Sequence, residues 1–149
     1  MKNFILILMM IAFTHCGYTS VYNNQKNTNL SITIKELKGD RSINNILREK
    51  LKIYSSNSSK NIFTIYAETE FSKSVLSKDK TGRATDLKLI TNIKFIVNYE
   101  DKEKSFFFSE SLNIDNSSDF YEQNNYEKNI KNNFVDEIVK ELLIKLNFL

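Results

Sequence analysis

The sequence predicts an α+β domain, a two-layer α/β sandwich in which two helices cover one face of a four-stranded sheet. Two patterns lead to this prediction. Apolar and polar residues alternate in three successive segments between residues 62 and 114, and a period of two indicates strands with one buried face. In the segments 43–54 and 126–146, apolar residues recur at steps of three and four, which indicates amphipathic helices. With a short alternating run before the first helix, the predicted order is strand, helix, a meander of three antiparallel strands, and helix.

The first strand and the first helix are separated by two residues that favour the change. Residues 30–34 alternate strictly between apolar and polar side chains, which predicts a strand. Gly39 breaks this strand, and Asp40 is a good N-cap for a helix. The helix has one apolar stripe, made of Ile43, Ile46, Leu47, Leu51 and Tyr54. Serines and an asparagine at 55–59 predict a loop after it.

Three strands joined by two turns are predicted in the centre of the chain. The first spans residues 62–76, and the turn after it, Lys78–Gly82, offers a glycine for a positive φ angle. The return strand, 87–99, is the clearest element, because every odd position is apolar or threonine. A charged turn at 100–103 leads to the third strand at 106–114. The three phenylalanines at its start place one ring on the far face of the sheet.

The last segment of the chain predicts a loop followed by a long helix. Residues 115–125 are polar apart from Phe120 and Tyr121, and they predict the loop. The helix has apolar residues at steps of four, which are Tyr126, Ile130, Phe134, Ile138, Leu142 and Leu146. Because both helices are expected on one face of the sheet, the other face must be hydrated or must face a partner.

The first residues have the layout of a bacterial lipoprotein leader. Lys2 precedes ten apolar residues, 4–13, and Cys16-Gly17 follows shortly after them. This run is far shorter than the ~20 residues of a membrane-spanning helix, so it fits the apolar part of a secretory signal. Phe13 and His15 depart from the residues usual before the lipidated cysteine. A buried N-terminal helix or strand, ordinary cleavage that leaves a free thiol, and a misplaced start codon remain open as alternatives.

This leader divides the chain into three parts. We expect residues 1–15 to be a signal peptide, residues 16–29 a polar tether with lipid on Cys16, and residues 30–149 the folded domain. The sequence has no second cysteine and no histidine besides His15. Cleavage and lipidation would therefore leave no histidine base, no free thiol and no soft-metal site. We expect a protein that is not an enzyme and that has no cofactor or metal.

The charges of the predicted domain favour binding over catalysis. The net charge of the whole chain, +3, is too small to argue for a nucleic-acid partner. Carboxylate pairs such as Glu68 with Glu70 and Asp136 with Glu137 are flanked by lysines, which is typical of a solvated surface. Five cations surround the predicted central hairpin, and they are Lys73, Lys78, Lys80, Arg83 and Lys88. They serve either solubility and edge protection of a strand pair or the binding of an anionic ligand such as phosphorylated lipid.

Four segments together resemble one known family. Cys16-Gly17-Tyr18 has the pattern Cys-Gly-aromatic, and residues 77–89 form a hairpin with a basic tip and an alternating return strand. Residues 108–112 form an aromatic strand before the last helix, and residues 126–146 form an amphipathic C-terminal helix. In these features the chain resembles the lipopolysaccharide (LPS)-assembly lipoproteins of the LptE type, more closely their alphaproteobacterial branch.

This resemblance implies a function at the cell outer membrane. Such proteins are anchored by lipid, here at Cys16, on the periplasmic side of that membrane. They sit as a plug in the large barrel protein LptD, help to assemble it, and assist LPS insertion into the outer membrane. Basic residues near the tip of the central hairpin are implicated in LPS contact. Lys80 and Arg83 are the matching positions in this chain, and Lys78 lies beside them.

Two alternatives come from other functional classes. The first is another periplasmic lipoprotein, such as an accessory subunit of a lipid-transport complex or a secretion pilotin. The second is an enzyme that relies on carboxylates alone, such as a glycosidase. That chemistry needs two carboxyl groups about 5–10 Å apart across a cleft, and the sequence offers no candidate pair.

Overall fold

The computed structural model describes residues 30–55 and 61–149. The predicted signal peptide, the lipidation site Cys16 and the tether lie outside the described residues, as does most of the predicted loop at 55–59. Six elements follow one another, and they are β1 (Leu30–Gly39), α1 (Arg41–Lys52), β2 (Asn61–Lys78), β3 (Ala84–Tyr99), β4 (Lys102–Asp115) and α2 (Phe120–Asn147).

The four strands form one sheet in the order β1-β2-β3-β4. β2, β3 and β4 are antiparallel neighbours, which confirms the predicted meander. β1 lies parallel to β2, with Ile32 opposite Phe63, because α1 returns the chain to the end of the sheet from which β1 started. The predicted α+β architecture is confirmed, and the structure adds the position of β1 at the edge beside β2.

The core lies between the sheet and the two helices. Alternate residues of each strand point toward the helices, so that Ile65, Ile93 and Phe95 are fully buried. α1 contributes Ile43, Leu47 and Leu51 to the same cluster, and α2 contributes Val135, Ile138, Val139, Leu142 and Leu146. The two helices also contact each other through an ion pair of Lys50 with Asp136, whose nearest atoms are 2.8 Å apart.

The junction between β1 and α1 is tightly fixed. Gly39 has a φ angle of +96°, and a Cβ atom added there would lie 1.8 Å from the carbonyl oxygen of Thr69. The next residue, Asp40, donates its N–H to that oxygen and accepts from the N–H of Ile43, which confirms the predicted N-cap. The buried Thr69 hydroxyl donates to Asn44 in α1 at 2.8 Å. Only glycine therefore fits where β1 ends against β2.

The C-terminal helix begins earlier than the sequence pattern predicts. Residues 115–125 were expected to form a loop, but α2 starts at Phe120. The reason is an N-cap, because the Asp119 carboxylate accepts from the N–H groups of Tyr121 and Glu122 at 2.8 and 3.1 Å. Tyr126, expected in the apolar stripe, is half exposed, whereas Gln123 is buried. In the described ranges no helix is both long and apolar enough to cross a membrane.

Candidate functional site

The β2–β3 hairpin extends beyond the end of β1. The last residue pair between β1 and β2 is Gly39 with Thr69, whereas β2 continues to Lys78. We call residues 71–91 the hairpin arm. Beneath the arm lies a second, smaller cluster of buried residues, made of Leu87, Leu89, Ile114, Ile130 and Phe134. The N-terminal half of α2 and the end of β4 thus support the base of the arm as far as Asp86, which is paired with Asp115. Within the described residues, the turn at 79–83 has hydrogen bonds only within itself.

The turn at the tip is ordered by one carboxylate. Asp79 accepts hydrogen bonds at Oδ1 from the Thr81 hydroxyl and from the N–H groups of Thr81 and Arg83, at 2.6, 2.8 and 3.0 Å. The Gly82 N–H donates to the Asp79 carbonyl, and Gly82 has a φ angle of +84°. This is the pattern of a type I turn followed by a glycine bulge. The bonds from the Thr81 hydroxyl and the Arg83 amide hold the pKa of Asp79 below its usual value.

The three predicted ligand-binding residues lie together at this tip. Lys78, Lys80 and Arg83 are all exposed. Among the ion pairs of the described residues, none includes any of these three cations. Because Asp79 is bound within the turn, the three cationic groups around it remain available to an anionic ligand. The structure therefore brings together the residues that the sequence singled out, in a form that could contact phosphate.

The other two cations of the predicted cluster have different surroundings. Lys73 forms an ion pair with Glu127 of α2, which also accepts from Gln123 at 3.0 Å. Burial raises the pKa of Glu127, but the bonds from Lys73 and Gln123 and the charge of Lys73 lower it by more, so the net shift is downward. Lys88 is half-buried on the helix-free face of the sheet, opposite Asn113. These two lysines support the arm rather than extend its basic tip.

The tip is a mixed rather than a uniformly basic surface. Three cations and two carboxylates lie between residues 78 and 86. The second carboxylate, Asp86, accepts from the hydroxyls of Ser77 and Thr85, and these bonds lower its pKa. Both carboxylates are thus bound to neighbouring side chains at neutral pH, whereas the three cations have no ion-pair partner among the residues that the structure describes. The arrangement suits a ligand that places separate anionic groups against separate cations.

Exposed aromatic residues lie at the same end of the molecule. Phe120 and Tyr121 are 80% and 75% exposed in the first turn of α2. The loop before them is joined to the arm beside its tip turn, because Asn116 donates its backbone N–H to Thr85 and its side-chain amide to Ala84, which is paired with Lys78. The sequence showed these aromatics only as an interruption of a polar loop, and Asp119 was the available signal of a helix start. Cationic and apolar groups at one end allow contact with an amphipathic ligand.

The helix-free face of the sheet has a polar ladder and one exposed ring. Asn92 donates to Glu70 at 3.2 Å and accepts from Ser109 at 2.8 Å, across β2, β3 and β4. Phe107 is 65% exposed on this face, as predicted for one of the three phenylalanines. Shallow depressions of about 190 and 390 Å³ lie on either side of Lys94. Within the described ranges, no three His, Cys, Asp or Glu side chains are grouped to hold a metal ion.

Comparison with known proteins identifies the fold. No protein-family model and no curated protein matches the sequence. Among solved structures, rare lipoprotein B from Shewanella oneidensis matches with a TM-score of 0.52 and 16% sequence identity, over 76% of this chain and 98% of that chain. A minor lipoprotein from Acinetobacter baumannii matches with a TM-score of 0.49 and 10% identity, over 74% of this chain and 94% of its own. The chain therefore shares the fold of rare lipoprotein B from Shewanella oneidensis, a bacterial lipoprotein.

Proposed function

We propose that this chain is an outer-membrane lipoprotein that partners a large LPS-export barrel of the LptD type. In this role it assists the assembly of the barrel and the insertion of LPS into the outer membrane. The proposal rests chiefly on the hairpin arm, which presents three exposed cations at its tip on a fold shared with rare lipoprotein B. Binding and positioning suffice for this role, and we propose no enzymatic activity.

The tip of the arm is the proposed contact for LPS. LPS is an anionic lipid with phosphate groups, and ammonium and guanidinium groups form strong charge-assisted hydrogen bonds with phosphate. Lys80 and Arg83 flank the turn residues Thr81 and Gly82 and are exposed, and Lys78 is the last residue of β2 before the turn. Phe120 and Tyr121, at the same end, offer apolar surface to the acyl part of the same ligand.

The arm points away from the end of the sheet at which the domain begins, which suits a protein that binds its ligand at a distance from its lipid anchor. β1 begins at Leu30, paired with Asn61 at the start of β2, so the tether enters at the end of the sheet opposite the hairpin tip. β2 alone spans roughly 55 Å at ~3.3 Å per residue. Lipid on Cys16 would hold the entry end near the membrane, and the arm would extend from there toward the interior of a partner. We expect that Cys16→Ala abolishes incorporation of radiolabelled palmitate, and persistent labelling would refute the anchor.

Titration with LPS tests the ligand part of the proposal. We expect the double variant Lys80→Glu/Arg83→Glu to weaken LPS binding at least tenfold, because two attractive contacts become repulsive. The matched control is Lys35→Glu/Lys128→Glu, which makes the same charge change at exposed positions away from the tip. Both variants should unfold at the temperature of the unmodified protein. Equal LPS affinity for the two double variants would show that the tip is not the binding site.

A further inference from the structure

The two edges of the sheet differ in how they are protected. β1 is a short edge strand with a register irregularity between Ile34 and Glu36, and its Ile32 N–H donates to the Tyr54 carbonyl at 3.0 Å. β4, at the other edge, pairs with β3 over residues 102–115 without any irregularity. In the part of the chain that the structure describes, no backbone group of another element bonds to its outer edge. A long, regular and uncovered edge is a template for a further strand.

β4 is complementary to itself in one antiparallel register. When Phe107 lies opposite Phe107 of a second copy, Lys104 faces Glu110, Phe106 faces Phe108, and Ser105 faces Ser109. Residues that face each other in this register have the same parity, so they share a face of the combined sheet, as antiparallel pairing requires. A shift by two residues loses this match, because it sets Phe106 opposite Glu110 or Phe108 opposite Lys104. The register centred on Phe107 pairs Lys104 with Glu110 and every ring with a ring, whereas the register centred on Phe106 pairs Lys102 with Glu110 but sets Lys104 opposite Phe108.

Glu110 and its neighbours give this edge an acidic surface on the helix-facing side of the sheet. Glu110 lies on the helix-facing side of β4, half-buried, and no ion pair among the described residues includes it. Burial and the nearby carboxylates Glu141 and Glu137 of α2 raise its pKa, so its charge is disfavoured in the single chain. Lys104 of a second copy would enter this acidic surrounding. By the two-fold symmetry, this contact of Lys104 with Glu110 would form twice, once on each side of the central Phe107 pair.

We propose that β4 pairs with β4 of a second copy of this chain, antiparallel and centred on Phe107, to form a continuous eight-stranded sheet. The two-fold axis stands perpendicular to the sheet, so the helices of both copies lie on the same side. The cross-strand contacts are two Lys104–Glu110 pairs, two Phe106–Phe108 contacts and the central Phe107 pair. This pairing concerns the chain by itself and goes beyond the proposed function, which involves the hairpin arm and the barrel.

Reversal of the charges at the paired positions tests this register. The full-length chain is produced in excess over its membrane partners and purified from membranes in detergent, and the fraction free of other proteins is examined by light scattering with the detergent mass subtracted. We expect twice the chain mass for the unmodified protein. Lys104→Glu or Glu110→Lys alone should raise the dissociation constant of the dimer at least tenfold, because each change creates two like-charge pairs. The double variant Lys104→Glu/Glu110→Lys should regain the dimer, since both pairs are restored with their signs exchanged.

A matched control and a second measurement keep the inference open to refutation. Glu103→Lys changes the charge one residue away, opposite Ser111 in this register, and should leave the dimer intact. A photo-crosslinking residue in place of Phe107, introduced in intact cells, should give a product of two chains. A single-chain mass for the unmodified protein, or no recovery in the double variant, would overturn the proposal. Crosslinking of Phe107 to a barrel-sized protein in place of a second copy would overturn it as well.

Discussion

The body of the domain and the hairpin arm share one sheet but differ in how much packing holds them. In the body, β1, α1 and the C-terminal half of α2 enclose fully buried residues such as Leu47, Phe95 and Leu142. In the arm, β2 has lost its neighbour β1, and about half of the surface of Val75 and Leu76 is exposed. The difference indicates that the body determines stability, whereas the arm exposes a turn with three cations.

The largest expected difference comes from cavities in the two regions. Phe95→Ala removes a fully buried ring that packs edge to face on Phe108, and we expect a loss of about 4 kcal/mol in the free energy of unfolding. Leu87→Ala, at the base of the arm, should cost only about 2 kcal/mol, because the small cluster there can relax toward solvent. Denaturant unfolding measures both. Equal losses would show that body and arm are equally packed.

The two glycines with positive φ angles give the next comparison. Gly39→Ala in the body forces a Cβ atom against the Thr69 carbonyl, so we expect a loss of about 3 kcal/mol. Gly82→Ala in the arm adds a Cβ atom that meets nothing within 4 Å. We therefore expect a loss of only about 1 kcal/mol in the free energy of unfolding, because alanine disfavours the left-handed backbone conformation. The unfolding temperatures of the two variants separate the effect of the steric contact with Thr69 from the effect of backbone strain alone. A Gly82→Ala variant as unstable as Gly39→Ala would contradict this account.

The sequence predicted the body better than the ends of its elements. In β3 the alternation and the observed burial agree, because one face packs on helices and the other is open, so period two was a sufficient signal. The start of α2 could not be found from the apolar stripe, because its first turn exposes Phe120 and Tyr121 and is fixed by Asp119 instead. Here capping chemistry, rather than periodicity, determines where the helix begins.

The candidate site was also predictable only in part. Lys78, Lys80 and Arg83 are close in sequence, so a hairpin turn necessarily brings them together. Lys73 belonged to the same sequence cluster, yet its partner Glu127 lies in α2, and such a contact depends on the packing of the helix on the arm. For the same reason, the pairing of β1 with β2 could not be predicted from either segment alone.

The smallest expected effect concerns Asp79 and pH. Its folded-state pKa is lowered, so its hydrogen bonds favour the folded turn at pH values above its unfolded pKa of about 3.9. This contribution decreases as the pH falls through the lower folded pKa, where the carboxylate becomes protonated. We expect the protection of the Thr81 and Arg83 amides, measured against the intrinsic exchange rate at each pH, to fall under acid conditions, and to fall equally in Asp79→Ala at neutral pH. Protection in the body should stay unchanged, and a body-wide loss would contradict local ordering by Asp79.

Affinity purification from detergent-solubilised outer membranes tests the central claim most directly. A tagged full-length chain is compared with the Cys16→Ala variant as a control for membrane anchoring. We predict that a large outer-membrane barrel is recovered with the unmodified chain in a stable complex, and that mass spectrometry identifies an LPS-export protein. Recovery of a lipid-transport or secretion complex in place of such a barrel would contradict the proposed function and favour another class of periplasmic lipoprotein.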